Sequence, residues 1–112
     1  MTNCKCKDVV LVNVMFSDGS GMKKRPALII SSDEYNRSRQ EVMIAAITSN
    51  IHRTLCGDSK IKEWKEAGLI APSLVTGIIQ TIKAKMINRK LGILKKDDFL
   101  KVQKSLTKAL GL

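Results

Sequence analysis

Two polar groups stand at the ends of apolar runs, and their residue types suit phosphate chemistry. The first is Lys23-Lys24-Arg25-Pro26, which follows the turn cluster Phe16-Ser17-Asp18-Gly19-Ser20-Gly21-Met22 and enters Ala27-Leu28-Ile29-Ile30. The second is Thr48-Ser49-Asn50, which closes the run Val42-Met43-Ile44-Ala45-Ala46-Ile47. Arg presents a planar fork of donors that matches phosphate oxygens in pairs, and small hydroxyls beside it add neutral donors. Loops carried on a rigid sheet are where binding and catalytic groups gather. Each group alone also has a purely structural explanation. A cation at a strand entrance blocks edge-to-edge pairing, and Thr-Ser-Asn after a strand is ordinary turn chemistry.

Cysteine and histidine offer a second chemistry. Cys4, Cys6 and Cys56 are an odd number, which argues against a closed disulfide framework and suits a reducing compartment. With His52, the only histidine, they could in principle supply four zinc ligands. The Cys4-x-Cys6 gap is tighter than the spacing of structural zinc sites, so no metal and no cofactor is expected. His52 reads as an exposed loop residue.

Positioning these groups requires short strands. Val9 to Met15 is rich in Val and Leu and predicts a largely buried strand. A hairpin through Ser17 to Met22 returns it to a strand over Pro26 to Ser31. Ser31-Ser32-Asp33-Glu34 has the form of a capping box and predicts a short helix through Asn36 to Ser38. Glu41 to Ile47 is the third strand, His52 to Gly57 a loop, and Ser59 to Ile61 a short strand. Ile61 to Ala67 reads as a helical turn ending at Gly68. Ser73 to Val75 and Ile78 to Ile82 read as strands around a bend at Gly77. The last segment predicts a helix: Asp97 and Asp98 suit its N-terminal dipole, Phe99, Val102, Leu106 and Leu110 recur on one face, and Gly111 stands at a C-cap. That face belongs to core or dimer interface.

The chain of 112 residues, 44% hydrophobic, can bury one modest core, so residues 1–112 are expected to form a single domain. Net charge is +10, and it is uneven: residues 1–56 carry 8 cations and 5 acids, residues 57–112 carry 12 and 5. Such an excess favours polyanionic partners, with RNA, DNA and acidic proteins as candidates, while solvated helix faces explain the C-terminal lysines equally well. No run of about 18 apolar residues implies a membrane helix, and the N-terminus lacks the apolar stretch of a signal peptide. A cytoplasmic protein without a membrane partner is expected.

In order and spacing, several motifs together resemble the MazF/PemK family of toxin endoribonucleases. They are Asp8-Val9-Val10-Leu11-Val12, the Phe16-Ser17-Asp18-Gly19 turn, Lys24-Arg25-Pro26-Ala27 before Ile29-Ile30-Ser31, and Ala46-Ile47-Thr48-Ser49. Trp64-Lys65-Glu66-Ala67-Gly68-Leu69, Pro72-Ser73, Thr81-Ile82 and Arg89-Lys90-Leu91-Gly92 follow, so the resemblance spans nearly the whole chain.

The resemblance implies a mainly β protein with α additions, a small SH3-like barrel of the MazF/PemK/CcdB type with a C-terminal helix, pairing as a homodimer. It implies a sequence-specific, metal-independent endoribonuclease that cuts single-stranded RNA by attack of the neighbouring 2′-hydroxyl on the scissile phosphate. The family's essential arginine falls on Arg25, holding that phosphate and stabilising or protonating the leaving group, and its essential threonine falls on Thr48. RNA contacts are expected at Phe16, Ser17, Lys24, Ser49 and Gln80. The implied partner is a cognate antitoxin with an acidic, disordered tail, whose complex binds DNA and weakens as salt rises. Asp18, Glu41 and His52 are the candidates to accept the 2′-hydroxyl proton.

The chain departs from the family pattern in three places. Lys7-Asp8 replaces the common Gly-Asp, Leu74 to Gln80 is one residue shorter and lacks the usual basic side chains, and Lys83 replaces the usual acid after Thr-Ile. Rival readings are a non-enzymatic gyrase poison like CcdB and a catalytically silent nucleic-acid-binding barrel. CcdB reads its target through a C-terminal Trp-Gly-Ile, whereas this chain ends Leu110-Gly111-Leu112 and has its only tryptophan at position 64.

Overall fold

The Val- and Leu-rich run after Lys7 forms strand β1 (Asp8–Met15) in the computed structural model, which describes residues 4–15 and 21–112. Strand β2 (Met22–Ile29) starts earlier than Pro26 and stops before Ser31, whose hydroxyl is used elsewhere, accepting from Met43 N at 2.9 Å. Helix α1 (Asp33–Arg39) is longer at both ends than the segment expected, with Ser32 as its N-cap accepting from Tyr35 N at 3.1 Å. Strand β3 (Glu41–Thr48) carries on one residue further than Ile47, so Thr48 is itself a strand residue. Strands β4 (Ser59–Lys60), β5 (Leu74–Lys83) and β6 (Ile87–Ile93) follow, and helix α2 (Lys96–Leu110) ends at Gly111, which takes the left-handed conformation at φ 71°.

Two expectations need correction. The two strands around Gly77 are one strand, β5, with an irregularity in the middle. Strand β6 carries three polar residues and was not anticipated. Ile61 to Ala67 forms the helical turn expected, with Ala67 N donating to Glu63 O at 3.2 Å and Gly68 ending it at φ 85°. Its N–H groups at Lys62 and Glu63 are capped by the buried carboxylate of Asp98 from α2, at 3.0 and 2.9 Å.

Among the described residues all pairings are antiparallel, and six strands stand in the order β4-β5-β3-β2-β1-β6. Strands β5 and β6 are joined only by a 3-10 turn at Ala84–Met86, yet they occupy the second and last places in that order. The sheet must therefore curl, and register shifts between Val9/Val10, Leu11/Val12 and Ala45/Ile47 supply the bends. No pairing among the described residues joins β6 to β4 or β5, so the sheet is open in its hydrogen bonding.

Alternation along the strands gives the sheet two apolar faces. One carries Val9, Leu28, Ala45, Ile47 and Val75 and is covered by Phe99, Val102 and Leu106 of α2. The other carries Val10, Val12, Ala27, Ile29, Val42 and Ile44, with Ile82 of β5 and Ile87 of β6 packed against the same cluster. Those last two residues meet only because the sheet wraps round, so this second face is the inside of the curl. Among the described residues no helix is long and apolar enough to cross a membrane.

Candidate active site

The pairing of β2 with β3 matches Ala27 to Ala46, Leu28 to Ala45 and Ile29 to Ile44. Continued two residues further along both strands, the same register sets Arg25 opposite Thr48. Pro26 has no N–H to give, and the ladder stops beside it, so the two strands are not zipped together where these residues stand. Arg25 alternates with Ala27 and Ile29, and Thr48 with Ile44, so both lie on the inner face of the curl, at its end. Arg25 is exposed and Thr48 half-buried.

Thr48 is held in a defined orientation. Its Oγ1 accepts a hydrogen bond from Asn50 N at 3.1 Å, and Asn50 Oδ1 accepts from His52 N at 3.4 Å. This small turn occupies a lone pair of the hydroxyl and leaves its proton available for donation. The pair can therefore offer one oxyanion a guanidinium and a neutral O–H from adjacent strands.

The other expected contacts divide. Gln80 is exposed and pairs with Ile44, so it shares the inner face with Thr48 but lies four residues along, about 13 Å at the usual rise per residue. Ser49 is exposed just past the strand end. Lys24 pairs with Asn13 and alternates to the outer face, and it is Lys23 that shares the face of Arg25. Phe16 and Ser17, with Asp18, lie outside the described residues. Of the remaining proton acceptors, Glu41 is at the opposite end of β3 in an ion pair with Arg39 at 3.0 Å, so it is not brought to the site. His52 is exposed on the loop that leaves Thr48.

The irregularity in β5 is built by three side-chain contacts. Thr76 Oγ1 donates to Ala46 O at 2.8 Å and accepts from Ile78 N at 3.1 Å, while Asp58 Oδ1 accepts from Gly77 N at 2.9 Å. Gly57, at φ 96°, and Gly77 are so close that a Cβ on Gly57 would lie 3.1 Å from the Gly77 Cα. The shortened Leu74 to Gln80 segment is thus a bulge clamped to the loop between β3 and β4.

Lys7 has a left-handed backbone, φ 80°, directly before Asp8. That explains the common glycine at this position. The conformation is fixed by Lys7 N donating to Ile29 O and Lys7 O accepting from Leu94 N, both at 2.9 Å. Burial pushes the thiols of Cys4 and Cys6 above the ordinary cysteine value, helped by the charges of Asp8 and Asp33 respectively. No group of three metal-capable side chains occurs among the described residues. The Cys4, Cys6, Cys56 and His52 alternative is not assembled.

Fold and site together define a small antiparallel β protein whose curled sheet carries an arginine and a threonine on adjacent strands at one end. The chain belongs to the PemK-like, MazF-like toxins of type II toxin-antitoxin systems, whose family model matches residues 5–110. Solved structures share the fold. One is an endoribonuclease in complex with its cognate antitoxin from a mycobacterial species, 21% identical over 97% of this chain and 96% of that one, with a TM-score of 0.78. The MazE-MazF structure (Form-II) from Deinococcus radiodurans is 16% identical over 100% and 99% of the two chains, with a TM-score of 0.81. Mycobacterium tuberculosis toxin MazF-mt6 is 24% identical over 92% and 97%, with a TM-score of 0.71. A comparison with curated proteins finds no match.

Proposed function

We propose that this toxin-family chain is a sequence-specific, metal-independent endoribonuclease that cuts single-stranded mRNA in the cytoplasm. What supports the reading is that β2 and β3 pair as far as Ala27 and Ala46 and then part, with Arg25 and Thr48 each two residues beyond that last pair on adjacent strands. In the proposed step the 2′-oxygen forms a bond to phosphorus and the bond from phosphorus to the 5′-oxygen breaks, leaving a 2′,3′-cyclic phosphate and a 5′-hydroxyl. The nucleophile belongs to the substrate, so the protein mainly positions the phosphate and neutralises developing charge. Arg25 does this as a permanent cation, stabilising the phosphoryl and leaving oxygens; a guanidinium is too weak an acid to serve as the proton donor. Thr48 Oγ1 donates to the same phosphate. We assign the 2′-hydroxyl proton to His52, with the leaving oxygen protonated by water.

The curl of the open sheet supports the finer reading of a small SH3-like barrel with a C-terminal helix. The mycobacterial endoribonuclease solved in complex with its cognate antitoxin supports an antitoxin partner here, and a net charge of +10 suits an acidic tail on that partner. We propose a homodimer that covers the exposed apolar side chains of Leu55, Ile78 and Leu110.

The test is incubation of the protein with a long single-stranded RNA in EDTA, beside folded Arg25→Ala, Thr48→Ala and His52→Ala variants. Discrete cuts are expected from the wild type, with each variant slower by about 10²-fold or more. Intact RNA in every lane would point instead to a gyrase-directed or non-catalytic binding protein. Cutting that survives both Arg25→Ala and Thr48→Ala would place the chemistry elsewhere.

A further inference from the structure

Strand β4 is only Ser59 and Lys60, and its pairing fixes which way each points. Ser59 lies opposite Val75, on the face covered by α2, and Lys60 lies opposite Leu74. Leu74 in turn lies opposite Thr48. Lys60, Leu74 and Thr48 therefore form one cross-strand row, with Lys60 exposed on the edge strand about 10 Å from Thr48, two strand spacings away. On the other side of that edge, α2 presents Lys101, Lys104, Ser105 and Lys108 at spacings that place them on one helical face. With Ser59 they line a groove between the helix and β4.

The chemistry of this groove is one-sided. Its lining is three lysines and two serines, with neither an acid nor an apolar side chain. The acids Glu63, Glu66 and Asp97 line the neighbouring groove beyond Lys101 and so end the cationic stretch there. Strand β5 from Leu74 to Ile82 holds no cation of its own, so positive charge on that side of Thr48 comes from Arg53 on the loop after β3, from β4 and from α2.

We infer that the RNA strand flanking the scissile phosphate crosses the β4 edge at Lys60 and lies in the groove between β4 and α2, its phosphates against Lys101, Lys104 and Lys108. Serine hydroxyls and lysine ammonium groups are donors suited to phosphate oxygens, and no acid in the groove opposes them. The inference rests on the ribonuclease reading above and extends it from the reacting phosphate to the strand beside it.

The experiment compares the wild type with Lys60→Gln and with the triple variant Lys101→Gln, Lys104→Gln, Lys108→Gln, all at exposed positions and each checked by thermal melting. Two substrates carry the same cut sequence, a short RNA of about six nucleotides and one of about thirty, lengths chosen against the site sizes of single-strand grooves. The wild type is expected to show a KM at least tenfold lower for the longer RNA, and the triple variant to lose that advantage with kcat retained. The logarithm of affinity for the longer RNA should fall less steeply with the logarithm of salt, the slope dropping by about 2 in the triple variant. An unchanged length advantage and salt slope would overturn the inference while leaving the ribonuclease intact. So would variants that lose only the binding of an acidic antitoxin peptide. A wild type that cuts neither RNA would overturn the ribonuclease reading, and this inference with it.

Discussion

Thr48 is where the smallest change separates chemistry from structure. Its Oγ1 already accepts from Asn50 N at 3.1 Å, so the side chain has both a local structural task and a proton to give. Thr48→Ser keeps both, whereas Thr48→Val keeps shape and removes both. The serine variant is expected to cut RNA within about fivefold of the wild type, and the valine variant to lose about 10²- to 10³-fold in kcat, the usual cost of one transition-state donor. Asn50 is exposed, so its freed N–H turns to water and the thermal midpoint should barely move. A loss in the serine variant with activity kept in the valine variant would mean that the methyl group, not the hydroxyl, matters. Arg25 and Thr48 were legible as polar groups at strand ends, and the resemblance assigned their roles. That they share a row depends on register, a property of two strands together that neither segment carries alone. Lys60 escaped notice because a strand of two residues leaves no periodicity to read.

Elements with a strong period were readable, and those shaped by distant contacts were not. Helix α2 and strands β1 and β3 follow their apolar patterns closely. Strand β6 buries only Ile87 and exposes Asn88, Arg89 and Lys90, so its alternation is hidden. The helical turn after Ile61 was readable but its cap was not, because the carboxylate of Asp98 that accepts from its N–H groups lies thirty-six residues away. Two left-handed positions test how far backbone geometry limits stability. Gln40 caps α1 at φ 53°, with its N–H donating to Asn36 O at 3.1 Å. Glycine removes a strain of about 1–2 kcal/mol there and costs about 0.4–1 kcal/mol in unfolded-chain entropy. Gln40→Gly should therefore stabilise by about 0.5–1 kcal/mol in urea unfolding. Gly68→Ala should do the reverse by about 2–4 kcal/mol, because at φ 85° its new Cβ would run into the carbonyl oxygen of Leu91. Destabilisation by Gln40→Gly would show that the cap tolerates its side chain at no cost.

At the scale of the whole molecule, the unanswered feature is apolar surface gathered at one corner. The contact of Gly57 with Gly77 also brings Ala109 near, at 3.1 Å from a Cβ built on Gly57, so the loop after β3, the bulge of β5 and the end of α2 converge. Flanking that junction, Leu55, Ile78 and Leu110 are 55%, 64% and 58% exposed, although Phe99, Val102 and Leu106 of the same helix are in the core. A small domain that leaves such residues outside can gain by covering them with a second copy, since a symmetric pair buries the patch twice. Ile78→Lys with Leu110→Lys would set four ammonium groups into that symmetric contact, where burial without partners costs several kcal/mol each. The wild type is expected to run at twice the chain mass in light scattering, and the double variant at the chain mass with its far-UV spectrum unchanged. Both residues are already more than half exposed, so the isolated fold should accept the charges. A double variant that still scatters as a dimer would place the interface elsewhere. A wild type that is monomeric would show that this patch does not hold two copies together by itself.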